Sequence, residues 1–135
     1  MLTRRGFAAC AICAISGFSA TAADNPAPAA TTGVKRTILS QIDGPAEGYV
    51  TIIAIAEIDA GVQVARHTHP GVESTFVLEG GVELNVDGQP ARTAKSGEAF
   101  QVPANAPHTA KSGDAKTKLL INYIVEKGKP IASPA

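Results

Sequence analysis

Residues 61–80 read GVQVARHTHPGVESTFVLEG. His67 and His69 stand one residue apart, and Glu73 follows after the turn pair Pro70-Gly71. Side chains of a β-strand alternate between faces, so the two histidines point the same way, about 7 Å apart by backbone rise. Two imidazoles so placed can converge on one metal ion. The Pro70-Gly71 turn can start the next strand back across the same face and bring Glu73 with it. His108, the only other histidine of the chain, comes from a distant run and supplies a fourth ligand. Three imidazoles and a carboxylate form a borderline-hard N/O site suited to Mn, Fe, Ni, Cu or Zn.

Outward from this stretch the chain reads as all β. After Val34 no segment sustains apolar residues at spacings of three and four, so no helix is expected. Short β-branched runs separated by turn residues take its place, at the roughly 8–12-residue intervals of a sandwich or barrel. The runs are Lys35 to Ser40, Tyr49 to Ile58, Val62 to His69, Glu73 to Leu78, Val82 to Val86, Ala99 to Val102, a strand around His108, and Thr117 to Glu126. Tyr49 to Ile58 (YVTIIAIAEI) is apolar on both faces, as a strand inside a closed barrel would be. Asp87-Gly88 is a two-residue hairpin signal, and Ser96-Gly97 opens a further turn. About nine short strands make a small antiparallel double-sheet barrel the expected architecture.

The spacing Gly61-x5-His67-x-His69-x3-Glu73-x6-Gly80 resembles the first motif of the cupin superfamily at every fixed position. The second motif of that family is similar to Gly97-x5-Pro103-x-Asn105-x2-His108-x3-Ser112. Two positions depart from it. Asn105 stands where the family has a turn glycine, a replacement Asn permits because it tolerates positive φ. Ser112 stands where the family has Asn, at a position that carries no metal. The resemblance covers Val34 to Glu126 and looks like a single-domain (type-2) cupin. It implies a jelly-roll barrel holding one divalent metal on His67, His69, Glu73 and His108, with barrels associating as homodimers.

The N-terminal residues read as an address. Arg4 and Arg5 precede an apolar run from about Phe7 to Phe18 and then small residues ending at Ala22-Ala23. This is the three-part secretory pattern, and Thr3-Arg4-Arg5-Gly6-Phe7 resembles the twin-arginine signal that exports folded proteins. The expected organisation is a signal peptide over 1–23, a flexible Pro/Ala tether over 24–33, a barrel over 34–127 and a C-terminal tail over 128–135. The protein is then periplasmic or secreted. Cys10 and Cys13, the chain's two cysteines, leave with the signal, so the mature chain has no thiol chemistry.

Charge excludes other classes. The chain carries 12 Lys+Arg and 12 Asp+Glu, which becomes two charges negative once Arg4 and Arg5 are removed. No electrostatic case for nucleic acid follows, and no apolar run reaches the ~20 residues of a membrane span. A small-molecule ligand or substrate is the expected partner. By strand parity Gln63 shares a face with His67, Thr75 shares one with Glu73, and Phe100 shares one with His108, while Tyr123 or Asn122 can enter from the last strand. Gln63, Thr75, Phe100 and Tyr123 are therefore the candidate pocket lining. Arg66 falls between alternation positions and should point away from the metal. With no spare histidine or second carboxylate as a base, metal-centred chemistry of oxygenase or decarboxylase type is favoured over epimerisation. A non-catalytic carrier of metal or small ligand is the alternative. Export in the folded state favours Mn or Fe, because a site filled outside the cytoplasm would take Cu or Zn.

Overall fold

Alternation of apolar and polar residues decides which way each strand faces, and two such faces closed on each other form the core. In the computed structural model residues 31–135 are described; the segment expected to be an export signal, with Cys10 and Cys13, and most of the expected tether lie outside the described residues. Every regular element among the described residues is a strand: β1 (Val34–Asp43), β2 (Tyr49–Ile58), β3 (His67–Thr68), β4 (Gly71–Glu79), β5 (Gly81–Val86), β6 (Arg92–Lys95), β7 (Ala99–Val102), β8 (His108–Ser112), β9 (Thr117–Glu126) and β10 (Ser133–Pro134). They form two antiparallel five-stranded sheets, ordered β1-β2-β9-β4-β7 and β10-β3-β8-β5-β6. This is the double-sheet, all-β jelly-roll barrel the spacing anticipates.

The strongest ladder joins β2 to β9, running from Tyr49 opposite Glu126 to Ile58 opposite Thr117. Val50, Ile52, Ala54, Ala56 and Ile58 face in from β2, and Leu119, Ile121, Tyr123 and Val125 face in from β9. The second sheet answers with Val82, Leu84, Val86, Ala94 and Ala110. Each fully buried aliphatic side chain such as Ile52, Val77 or Val125 contributes about 1.5–3 kcal/mol relative to exposure. The other face of β2 is apolar but only half covered, with Ile53 38% exposed.

Several elements differ from the sequence reading. The run Val62 to His69 pairs as a strand only at His67–Thr68, with Gln63 forming an isolated bridge to Lys111. Val62 and Val64 pack against the core while Gln63 is exposed, so inward parity is even before Arg66 and odd after it. Gln63 therefore does not line the pocket: the irregular segment at Ala65-Arg66 breaks the alternation on which that assignment depended. At Asp87-Gly88 the chain does turn, with Gln89 N–H donating to Val86 C=O, but β6 resumes pairing only at Arg92 opposite Leu84. Pro90 cannot donate to a ladder, which lengthens the loop beyond two residues and hides β6 from a strand reading. The C-terminal tail is also built into the barrel. Ile131 is fully buried, and Ser133 and Pro134 pair with Thr68 and His67.

Gly71 fixes how closely β4 approaches β9. A Cβ there would lie 1.9 Å from the Ile124 carbonyl oxygen and 2.6 Å from Val125 Cα, both backbone atoms in the paired strand. Gly71→Ala is expected to lower unfolding stability by about 1–3 kcal/mol, the usual cost of overpacking. Urea denaturation measures it, and an unchanged midpoint would contradict the close packing.

Candidate metal centre

Three different strand junctions deliver the four side chains. His67 lies in β3, directly opposite His108 in β8. His69 stands two residues on, just before Pro70, where its backbone carbonyl accepts from Asn105 N–H at 2.9 Å. Asn105 holds φ 60°, the left-handed geometry that the family meets with glycine. Ser112, the other departure, closes the loop before the site: its hydroxyl donates to Asp59 C=O at 2.5 Å and accepts from Val62 N–H at 3.0 Å. Glu73 faces in from β4, opposite Val102 on one side and Tyr123 on the other.

The result is a tight cluster inside the barrel. One ligand atom from each of His67, His69, Glu73 and His108 can be chosen so that all four lie within 4.8 Å of one another. His69, Glu73 and His108 are buried, and His67 is half-buried. The imidazole centroids are 4.2 Å (His67–His108), 4.8 Å (His67–His69) and 5.0 Å (His69–His108) apart.

Hydrogen bonds orient every ring. His67 Nδ1 meets the Ala65 carbonyl at 2.7 Å, His69 Nδ1 the Ile131 carbonyl at 2.5 Å, and His108 Nδ1 the Ala106 carbonyl at 2.9 Å. A carbonyl oxygen only accepts, so each Nδ1 carries a proton, and in the neutral ring that a metal requires each Nε2 presents its lone pair. His69 Nε2 is buried without an aligned hydrogen bond, although Glu73 Oε2 lies 2.7 Å away; His108 Nε2 is 3.6 Å from the same oxygen. Lone pairs aimed at a carboxylate repel one another unless a proton or a metal cation sits among them. The donor set therefore fits a divalent transition metal.

The electrostatics agree. Burial, then the neighbouring His108, pushes His67 down to about 4, so it is neutral at pH 7 as a ligand must be. Burial alone would raise Glu73, but its contacts with His108 and His69 and the hydrogen bond from Thr75 outweigh it and hold the carboxyl below the ordinary range. Glu73 is then the single fixed negative charge of the centre.

Of the four residues expected to line the pocket, Thr75 and Tyr123 touch this cluster. Thr75 Oγ1 donates to Glu73 Oε1 at 2.6 Å. Tyr123 is buried with its ring 4.9 Å from His69, while Asn122 takes the outward parity. Burial and the Glu73 charge push the Tyr123 hydroxyl up, so it stays protonated. Phe100 is buried and stands opposite Thr75 in the strand register. Arg66 points outward as expected and forms a two-pronged pair with Asp87, at 2.7 and 2.5 Å.

Two contributions escape the sequence reading. The Ile131 carbonyl holds His69, and no side-chain pattern announces a backbone acceptor in a tail. Arg36 sends its guanidinium to within 5.5 Å of the Tyr123 ring centroid. Its shared parity with Val34 is the one available signal. Thr75→Val keeps the shape and removes the hydrogen bond to Glu73; it is expected to weaken metal affinity by about 10–100-fold with little change in melting temperature. Competition with a chromophoric chelator measures this, and wild-type affinity in the variant would show that Thr75 does not orient Glu73.

Comparison with known proteins agrees with this geometry. No curated protein matches the chain. Among solved structures, the chain is similar to the DMSP lyase DddQ from Ruegeria pomeroyi, at 26% identity and TM-score 0.53, over 55% of this chain and 38% of the lyase. It thus spans well under half the length of that enzyme. An RmlC-like cupin from Shewanella frigidimarina aligns at 23% identity and TM-score 0.55, over 68% of this chain and 76% of that one. A recombinant oxalate oxidase in complex with glycolate aligns at 18% identity and TM-score 0.61, over 78% of this chain and 57% of the oxidase. These two likenesses concern the fold alone. The Cupin domain family (Cupin_2) matches residues 54–123, more than half of the chain and all four clustered ligands, and the chain belongs to that family.

Proposed function

We propose that this cupin is an exported metal-dependent enzyme acting on a small organic substrate, with chemistry of oxygenase or decarboxylase type. The observation that carries the reading is the set of three imidazoles whose Nδ1–H groups are all tied to backbone carbonyls, leaving each Nε2 available to the cluster that they form with Glu73. A divalent metal held there by His67, His69, Glu73 and His108 would supply a Lewis acid with coordination positions left for substrate or O₂. The protein's own residues set the frame. Thr75 fixes the Glu73 carboxylate, and Ile131 fixes His69. His67 is the one ligand only half-buried, so substrate approaches on its side. Every titratable imidazole and the one carboxylate of the cluster are occupied as ligands, which favours metal-centred chemistry over general-base epimerisation. Fold alone would not choose among these reactions.

The metal is proposed to be Mn or Fe, one per chain. Divalent affinity at N/O sites rises toward Cu, and export of a folded barrel allows Mn or Fe to be loaded first and carried out. The twin-arginine-like residues Thr3 to Phe7 support that route. Two copies are proposed to pair through the outer face of the β2-β9-β4 sheet, where Ile53, Val72, Phe76 and Leu78 are each 37–41% exposed. Lys118 and Glu126 end β9 on that face, so a second copy laid antiparallel brings opposite charges together. Phe76→Glu is expected to shift the dimer to monomer in analytical ultracentrifugation, and an unchanged sedimentation coefficient would remove this face from consideration.

Metal analysis of the mature protein, purified from its native periplasm beside a His108→Ala variant, tests the function. Near one Mn or Fe per chain, lost in the variant, is expected. Full occupancy by Cu or Zn would overturn the metal assignment, and a metal-free wild type would leave the barrel a non-catalytic binder.

A further inference from the structure

Ala65 and Arg66 belong to no strand, yet the Ala65 carbonyl has to be placed accurately because it holds the His67 ring. Few backbone bonds are at hand to place it. Val64 N–H donates to Ala110 C=O at 2.8 Å, and the Arg66 carbonyl accepts from Ala135 N–H at 3.3 Å. The firmer anchor of this segment is a side chain. The two terminal guanidinium nitrogens of Arg66 each donate to one carboxylate oxygen of Asp87, at 2.7 and 2.5 Å. Asp87 follows directly on β5, and β8 lies between β3 and β5 in the sheet, so the pair spans the strand that begins at His108. Asp87 is tied to the approach of that strand as well, its N–H donating to Pro107 C=O at 3.0 Å. Among the described residues lysine supplies the cation in the other surface pairs, Lys116–Glu57, Lys127–Asp43 and Lys129–Glu126. An ammonium is a point charge, whereas a guanidinium fork fixes distance and direction together.

The two ends of this pair reach two of the three ring acceptors. Ala65, which accepts from His67 Nδ1–H at 2.7 Å, is the residue before Arg66. Ala106, which accepts from His108 Nδ1–H at 2.9 Å, is the residue before Pro107. His67 and His108 stand directly opposite each other, and their rings are the closest of the cluster, with centroids 4.2 Å apart. A rigid frame matters most here, because His67 is only half-buried and β3 is two residues long, so core packing restrains it less than the buried His69. His69 is independent of the pair, since its acceptor is the Ile131 carbonyl of the C-terminal segment. A carbonyl that shifts takes its imidazole with it, and the outer partners of ligand side chains govern how well a metal is held.

We propose that Arg66 and Asp87 are positioning residues of the metal centre: their ion pair, spanning β8, holds the Ala65 and Ala106 carbonyls in place and through them the rings of His67 and His108. This rests on the metal-binding function above and adds to it two residues at the surface. The consequence is selective. Loss of the pair loosens two rings and leaves His69 on Ile131 as it was. Because the two side chains are 46% and 50% exposed, the modest strength of an exposed pair sets the size of the effect: metal affinity falls a few-fold and is not abolished.

The test compares wild type with Arg66→Gln, Asp87→Asn and the double variant. Two quantities are read: cobalt(II) affinity by competition with a chromophoric chelator, and the tautomer of each ring in the metal-free protein from its nitrogen chemical shifts in nuclear magnetic resonance. Each single variant is expected to bind cobalt about two- to five-fold more weakly, the range an exposed pair can supply. The double variant is expected to be no weaker than either single, as for two residues acting as one unit. His67 and His108 are expected to gain a share of the Nε2–H tautomer, while His69 keeps its wild-type shifts. A pair that only adds stability would lower the melting temperature and move no tautomer. Wild-type cobalt affinity in the single variants, unchanged shifts at His67 and His108, an equal change at His69, or additive losses in the double variant each overturn the proposal. Should Arg66→Gln fail to fold, Arg66→Lys decides: it keeps the charge and loses the fork, and unchanged shifts at His67 and His108 overturn the proposal. Should wild type take up no cobalt, the metal function falls separately, and the tautomers of the metal-free protein decide the pair by the same comparison.

Discussion

Three backbone carbonyls determine what the interior of this barrel can do. Ala65, Ala106 and Ile131 each accept the Nδ1–H of one histidine, and so fix the tautomer as well as the direction of all three rings. Without those bonds the imidazoles would rotate and the cluster would be an ordinary polar patch in an apolar core, unfavourable and without use. With them, three lone pairs and one carboxylate are held facing each other at close range. That repulsion is sustained by the strand framework, which is the general bargain of a preorganised site: stability is given up locally and recovered in the surrounding core.

The framework recovers it through long ladders remote from the site. The β2–β9 and β4–β9 pairings align the inward residues over nearly their whole length, so the position of Glu73 follows from the register that also sets Tyr123 and Val102. Gly71 lets β4 lie close enough on β9 for that register to hold. Positions near the site are irregular by comparison. β3 is two residues long, Asn105 is in the left-handed region, and parity slips at Ala65-Arg66. Regular strands supply rigidity, and the irregular segments aim the ligands.

That division also explains what the sequence discloses. Period-two alternation and turn residues make β2, β4, β5 and β9 visible, and the spacing of His67, His69, Glu73 and His108 makes the ligand set visible, because in each case one residue's chemistry implies its neighbour's position. Parity carries no information across an irregular stretch, and Gln63, one residue from Val64 and on the far side of that stretch from His67, is exposed. The strand Arg92–Lys95 gives no alternation signal because it is short, polar and preceded by Pro90-Ala91. The segment 128–135, which reads as a tail, is part of the barrel, because Ile131 is fully buried and its carbonyl orients His69. Backbone acceptors have no sequence signature, since every residue has a carbonyl.

Both ends of the described chain converge on the same few ångströms. The tail delivers the Ile131 carbonyl to His69, and the first strand delivers Arg36 to Tyr123, which itself packs on His69. Neither end is within the residues of the family match, 54–123, which contain the ligands alone. The shared part of the fold thus provides the metal-binding chemistry, and the flanking strands add what surrounds it: one neutral acceptor behind a ligand and one positive charge in front of a ring.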